Sequence, residues 1–255
     1  MSILIDSDAQ GVTRVTLNRP EVHNAFNEGM IGDLKEAFSD LGKQDGIRVI
    51  VLNGAGRSFS AGADLNWMRR AAEQDEEMNR EDARGLAEMF ETINACPKPV
   101  IGLVHGGVFG GGVGLTACCD VVVAAPGTQF GLTEVRLGLI PAVISPFVLS
   151  KIGMSASRRY MLSGERFDAT EALRIGLVHQ VADDLEVAAQ PLIQAFVEAA
   201  PAAVADIKDL LSDIAHKGTD IAGKTASRIA ARRASDEGRE GIGAFLDKRK
   251  PQWDV

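Results

Sequence analysis

Apolar residues recur along the chain at two different periods, and the change from one to the other divides it. Four short apolar runs are rich in β-branched residues and bounded by Gly, Pro or Asn: "VTRVTL" (12–17), "IRVIVLNG" (47–54), "PVIGLVHG" (99–106) and "DVVVAA" (120–125). They predict strands. Between the first two, "NEGMIGDLKEAFSDLGK" (27–43) places Met30, Ile31, Leu34, Phe38 and Leu41 at helical spacing, with Asn27 as the N-cap. From residue 143 on the pattern is almost entirely helical. "EVAAQPLIQAFVEAA" (186–200), "PAAVADIKDLLSDIA" (201–215) and "GIGAFLDKRK" (241–250) keep that period, and Pro201 stands where a new helix can begin. Residues 69–84, "RRAAEQDEEMNREDAR", form a charge run that reads as a solvated loop or the start of an exposed helix. Strands first and helices later predict an α/β core carrying a helical carboxyl-terminal region.

Composition narrows the classes. The 255 residues are 45% hydrophobic and 24% charged, an ordinary globular balance. A formal charge of −8 argues against a general nucleic-acid binder, whose affinity comes from clustered Lys and Arg, but leaves room for an anionic small molecule on a local basic patch. The three cysteines, Cys96, Cys118 and Cys119, have neither a disulfide framework nor zinc-ligand spacing, so no metal is expected. The amino terminus reaches Asp6 without a basic start, which predicts no signal peptide. The longest uncharged apolar stretch, 137–149, is broken by Pro141 and Pro146 and is too short to span a bilayer. A cytoplasmic protein without a membrane partner is the expectation.

The chemistry points to "GGVFGGGVGLTACCD" (106–120), with six glycines in the nine positions 106–114. Glycine is costly inside regular structure and serves where the backbone approaches something closely. One reading is tight packing: a strand ending at His105, a turn, and a helix from about Gly111. A second, a dinucleotide fingerprint, fits G-x-G-x-x-A at 112–117, but the acid Glu134 lies well beyond the end of the next strand near Ala124–Ala125. A third is an oxyanion hole. Glycines at a helix start leave amide N–H groups unpaired and the helix dipole adds positive potential, which suits a thioester oxygen becoming an enolate. A second small, glycine-containing loop, "GRSFSAGADL" (56–65), also follows a predicted strand.

These segments resemble the enoyl-CoA hydratase/isomerase, or crotonase, superfamily. The resemblance runs through "NRPEVHNAFN" (18–27), "FSAGADL" (59–65), "KPVIGLVHGGVFGGGVGL" (98–115), "CDVVVAAPGTQFGLTEVRLGLIP" (119–141), "LSGERFDATEALRIGLV" (162–178) and "GIGAFLDKRKP" (241–251), in order and over nearly the whole chain. It implies an α/β fold, a crotonase-like spiral of ββα units with a helical C-terminal region. Residues 1–190 would form the core with the CoA-ester site, and 191–255 the helices for oligomerisation and CoA contact. It implies a homotrimer or a dimer of trimers. The oxyanion hole would come from the backbone amides of Ala63 and Gly111. Ala61 would contact substrate, Arg57 the CoA phosphates, and Lys248 would reach CoA across a subunit boundary. No cofactor is implied, since coenzyme A enters only as the carrier of the acyl-CoA substrate. Asp64 reads as a cap or anchor and His105 as a structural histidine.

One departure matters. The two-glutamate hydratases carry one glutamate where this chain has Gly114 and the other where it has Glu134, at the same separation. Glu134 is therefore the expected acid/base. Two carboxylates grip a water most easily, whereas one suffices to move a proton between C2 and C4, the isomerase reaction. Yet "FGGGVGLTACCD" with "TEVRLGLIPAVISPFVL" is most similar to bacterial methylglutaconyl-CoA hydratases and terpenoid-pathway relatives. The expected reaction is hydration of a short branched 2-enoyl-CoA as in leucine breakdown; alternatives are an enoyl-CoA isomerase and a CoA-ester-binding member with little catalysis. A distal substrate carboxylate would seek Arg136, Arg69 or Arg70. Trp67, Phe109, Ile140 and Phe147 are candidates for the acyl wall, and Gly114 for a substrate contact.

Overall fold

The four apolar runs pair side by side in a computed structural model that describes residues 1–215 and 221–253. The first half contains β1 (Ile3–Ser7), β2 (Val12–Leu17), α1 (Glu28–Lys43), β3 (Val49–Gly54), α2 (Leu65–Glu73), α3 (Glu76–Asn94), β4 (Val100–Val104), β5 (Gly107–Phe109), α4 (Gly111–Cys118), β6 (Val121–Ala124) and β7 (Gln129–Gly131). Then follow α5 (Ser145–Ser163), β8 (Arg166–Asp168), α6 (Ala169–Arg174), β9 (Gln180–Val181), α7 (Leu185–Glu198), α8 (Pro201–Ala215), α9 (Ile221–Ala234) and α10 (Asp236–Leu246). One sheet has the order β1-β2-β3-β4-β6-β9, with β1 antiparallel to β2 and the other neighbours parallel. A second sheet, β5-β7-β8, stands apart from it.

The central strands read as unbroken apolar runs because both faces are covered. In β3, Ile50 and Leu52 enter the larger core with α1, α3, α4 and α5, while Val49 and Val51 face the smaller core under α7. The helix expected over 27–43 begins after Asn27, whose side chain accepts from the Met30 N–H at 2.9 Å, and it buries Met30, Ile31, Leu34, Phe38 and Leu41.

Of the two readings of the charge run 69–84, the structure has the exposed helix start: the run covers the end of α2 and the first turns of α3, where Arg80 pairs with Glu76 and Glu77 and Arg84 with Glu81. Helix α7 runs through 190/191 with Ala189 and Ile193 both buried against the sheet, and α8 starts at Pro201. No single helix among the described residues is long and apolar enough to cross a membrane.

Candidate active site

Both glycine-containing loops leave the carboxyl ends of neighbouring parallel strands, one after β3 and one after β4. "NRPEVHNAFN" holds the first in place. Asn24 is fully buried in a left-handed conformation (φ 54°), and its Nδ2 donates to the Ala55 and Ser58 carbonyls, both at 2.8 Å. Ser60 Oγ donates to the Asn24 carbonyl at 2.9 Å. Farther along, Phe26 N–H donates to the Gly62 carbonyl (2.6 Å) and Asp64 N–H to the Phe26 carbonyl (2.8 Å). Successive peptide groups in an extended segment point to opposite sides. With Gly62 and Asp64 both turned to Phe26, the Ala63 N–H is turned away from it.

The second loop lies against the first. Phe109 N–H donates to the Ser60 carbonyl at 3.0 Å, and Ser60 N–H to that of Gly107 at 3.2 Å. A methyl group built on Gly62 would stand 2.8 Å from the Phe109 carbonyl oxygen and 3.4 Å from the Gly111 nitrogen. Gly62 also has φ +87°, so no side chain fits there by conformation or by space. Gly111 opens α4, and a methyl on it would overlap the Phe26 ring, which packs behind it. Among the described residues the Ala63 and Gly111 amides have no hydrogen-bond acceptor. Two unpaired donors on adjoining loops, one on a helix start buried from residue 112 onward, are the groups from which an oxyanion cradle can be built.

Glu134 stands beside this pair. It begins a short 3-10 turn (Glu134–Leu137), and a methyl on Gly110, the residue preceding α4, would lie 3.1 Å from Glu134 Oε1. Its Oε2 is buried with no partner among the described residues. Burial pushes the Glu134 carboxyl pKa up from its ordinary value, and the hydrogen bond from its own backbone N–H offsets this only in part. Without an ion pair among the described residues and beside two free amides, this half-buried carboxylate has the surroundings in which a carboxyl group can exchange a proton.

A family model for enoyl-CoA hydratase/isomerase matches residues 7–255. The chain belongs to the enoyl-CoA hydratase/isomerase family. A crystal structure of an enoyl-CoA hydratase from Shewanella pealeana is 43% identical, with a TM-score of 0.97 over 99% of this chain and 96% of that one. An enoyl-CoA hydratase/isomerase from Marinobacter aquaeolei is 35% identical, with a TM-score of 0.94 over 100% of this chain and 99% of that one. The 2,3-dehydroadipyl-CoA hydratase of Escherichia coli is 35% identical over 258 residues, 99% of either chain. The α/β architecture described above is thus the crotonase fold of enoyl-CoA hydratases.

The other expected residues of this hydratase/isomerase site are placed as follows. Ala61 is exposed and donates its N–H to the His23 carbonyl at 2.9 Å. Arg57 is exposed at the mouth of the first loop, with no ion pair among the described residues. Trp67 is half-buried against the core, and its Nε1 has no acceptor among the described residues. The Phe109 ring rests on Gly107 and Gly131 beneath the Arg166 guanidinium, 4.9 Å from the ring centre. Phe147 packs on Phe90, whereas Ile140 is exposed. Lys248 follows α10 in a left-handed conformation. Arg48, at the amino end of β3, holds the carbonyl of nearby Trp253 at 3.2 Å, whereas Arg57 follows the carboxyl end of that strand. One chain does not bring Lys248 to the Glu134 cluster.

Arg70 is paired with Glu28 at 2.6 Å and Arg69 bonds the Asn66 side chain at 3.3 Å, while Arg136 leans on Gly164. Asp64 caps α2 through the Asn66 and Trp67 N–H groups and pairs with Arg19 at 2.9 Å. Burial alone would raise the Asp64 pKa, but these partners outweigh it and hold the carboxyl below its ordinary range. His105 Nε2 bonds the Gly56 carbonyl at 3.0 Å, a structural role.

The residues missed in the sequence are Phe26, Phe90, Gly110 and Ile144. Gly114 is buried inside α4, where a methyl would overlap Ile144 Cγ2 and come within 3.0 Å of Phe90 Cε1. The spacing of the glycine run could have marked Gly110; nothing local to Gly114 announces Ile144.

Proposed function

We propose that the protein hydrates short branched 2-enoyl-CoA thioesters of the methylglutaconyl type, with Glu134 as the only proton-carrying side chain. The observation that carries this reading is the unpaired, half-buried Glu134 carboxylate next to the free amides of Gly111 and Ala63. The thioester oxygen accepts from both amides. Glu134 takes a proton from water as the water oxygen bonds to C3, and the C2–C3 π electrons pass to the thioester oxygen as an enolate. Glu134 then returns that proton to C2 and the enolate collapses. The net change is addition of H and OH, with the carboxylate restored. The chain's own residues require no metal or further cofactor for these steps.

A dicarboxylic acyl group is supported by the Escherichia coli relative, named for a dehydroadipyl thioester, and by Arg69 and Arg136, which have no carboxylate partner among the described residues. The CoA phosphates fall to Arg57. Lys248 joins them from a second copy, in a trimer or dimer of trimers whose contacts draw on exposed Phe245 and Leu246. A cytoplasmic location fits an enzyme acting on CoA thioesters.

The packing of Ile144 against Gly114 favours a second reading, isomerisation of a 3-enoyl-CoA, in which Glu134 removes a proton from C2 and returns it to C4. The test is a panel of methylglutaconyl-CoA, crotonyl-CoA and a 3-enoyl-CoA with parent and Glu134→Gln. We expect the highest kcat/KM on methylglutaconyl-CoA and a loss of about 10²- to 10⁴-fold in Glu134→Gln with CoA-ester binding retained. Turnover of the 3-enoyl-CoA alone would establish the second reading. Activity within a few-fold of the parent in Glu134→Gln would remove Glu134 from the mechanism.

A further inference from the structure

The position of the missing second carboxylate is occupied by hydrocarbon from a different segment of the chain. A side chain at Gly114 would put its Cβ inside the van der Waals contact distance of Ile144 Cγ2, with Ile144 Cβ and Phe90 Cε1 each 3.0 Å away. Ile144 is buried and directly precedes α5, so the start of that helix holds it in place. Phe90 continues the apolar contact to Phe26, with ring centres 6.3 Å apart, and to Phe147, at 6.0 Å. Phe26 in turn backs the Gly111 amide. The first turn of α4 therefore has a carboxylate on one flank and a continuous apolar wall on the other.

Water about to add across a double bond must be held through its protons and lone pairs. A methyl group holds neither, and a polar group set against it goes without a partner. A proton moved from carbon to carbon needs only the one carboxylate. We infer that Ile144 is a specificity-determining residue of this site: it fills the second-acid position and sets the balance between forming the enolate by water addition at C3 and forming it by proton removal from C2. The inference rests on Glu134 being the proton carrier.

Full-chain protein tests it with Ile144→Ala, Gly114→Glu/Ile144→Ala and the size control Gly114→Gln/Ile144→Ala, each assayed for crotonyl-CoA hydration and 3-enoyl-CoA isomerisation. Relative to the Gln control, the Glu double variant should hydrate crotonyl-CoA about 10- to 100-fold faster, with isomerisation unchanged or lower. Equal hydration by the two folded double variants overturns the inference. Should neither double variant fold, Ile144→Ala decides: a several-fold rise in the hydration-to-isomerisation ratio supports it, and an unmoved ratio overturns it. Failure of the parent reading looks different, since the parent would then turn over none of these esters. Hydration gained by the Glu double variant would still report the second-acid position.

Discussion

The two flanks of the first α4 turn differ in what stands against them. On the Glu134 side, a carboxyl oxygen is buried without a partner, a state that costs stability and is retained where a substrate completes it. On the Gly114 side the nearest atoms, from Ile144 and Phe90, are apolar and packed tightly enough to exclude a single added carbon. The same turn is open to chemistry on one flank and closed on the other.

The sharpest way to break this comparison is to disturb what the two flanks share. Gly62 lets the first loop come within reach of Gly111 in a left-handed backbone that an alanine adopts only with strain. Gly62→Ala should push the Phe109 carbonyl and the Gly111 amide away together. Loss of an oxyanion donor costs about 10²- to 10³-fold in kcat, and we expect a loss of that size with CoA-ester binding less affected. A folded Gly62→Ala enzyme with parental kcat would show that the amide pair does not hold the thioester oxygen.

Next in size is the closed flank. Gly114→Ala places a methyl over Ile144 Cγ2, and overpacking of this kind typically costs about 1–3 kcal/mol. Chemical denaturation should show the loss, and Gly114→Ala/Ile144→Ala, which removes the overlapping Cγ2, should cost less than the sum of the two single changes, because residues in contact couple. Strict additivity of the two changes would mean that Ile144 does not fill the Gly114 position.

The two flanks were unequally legible in the sequence, as was the fold around them. The amphipathic period of α1 and its Asn27 cap were readable because one face of a long helix repeats. The β-branched runs of β2, β3, β4 and β6 were readable because sheets covered on both faces are apolar throughout. The sheet of β5, β7 and β8 was hidden, since three residues per strand are too few to alternate, and β8 lies in a stretch with a helical pattern. The start of α3 was obscured by charges that pair along the helix rather than by any apolar period. At the site, Glu134, Ala63 and Gly111 were named through motif resemblance, and the structure brings their loops together. Ile144 left no local trace, because what fills a glycine's space comes from wherever the chain returns.

The smallest effect concerns stability on the open flank. Burial raises the Glu134 pKa above its value in the unfolded chain, so the folded protein favours the protonated carboxyl. A group of this kind contributes stability that is fully present below the unfolded pKa and is lost as pH rises through the folded pKa. At neutral pH the ionised carboxylate is therefore a small burden on the fold. Glu134→Gln carries no charge at any pH and should melt slightly above the parent near neutrality. The difference should shrink as pH falls through the folded pKa of Glu134 and vanish below the ordinary Glu range. The gain is kept small by the partial solvent access of the side chain. Gly114→Ala, by contrast, should lose stability by the same amount at every pH, because a methyl overlap does not titrate. Paired melting curves across the acid range separate the two flanks: a Tm difference that moves with pH on the Glu134 side and one that stays fixed on the Gly114 side. A Glu134→Gln protein that melts below the parent at neutral pH would mean that the carboxylate is held by a partner in the folded protein, and the open flank would then be a structural contact like the closed one.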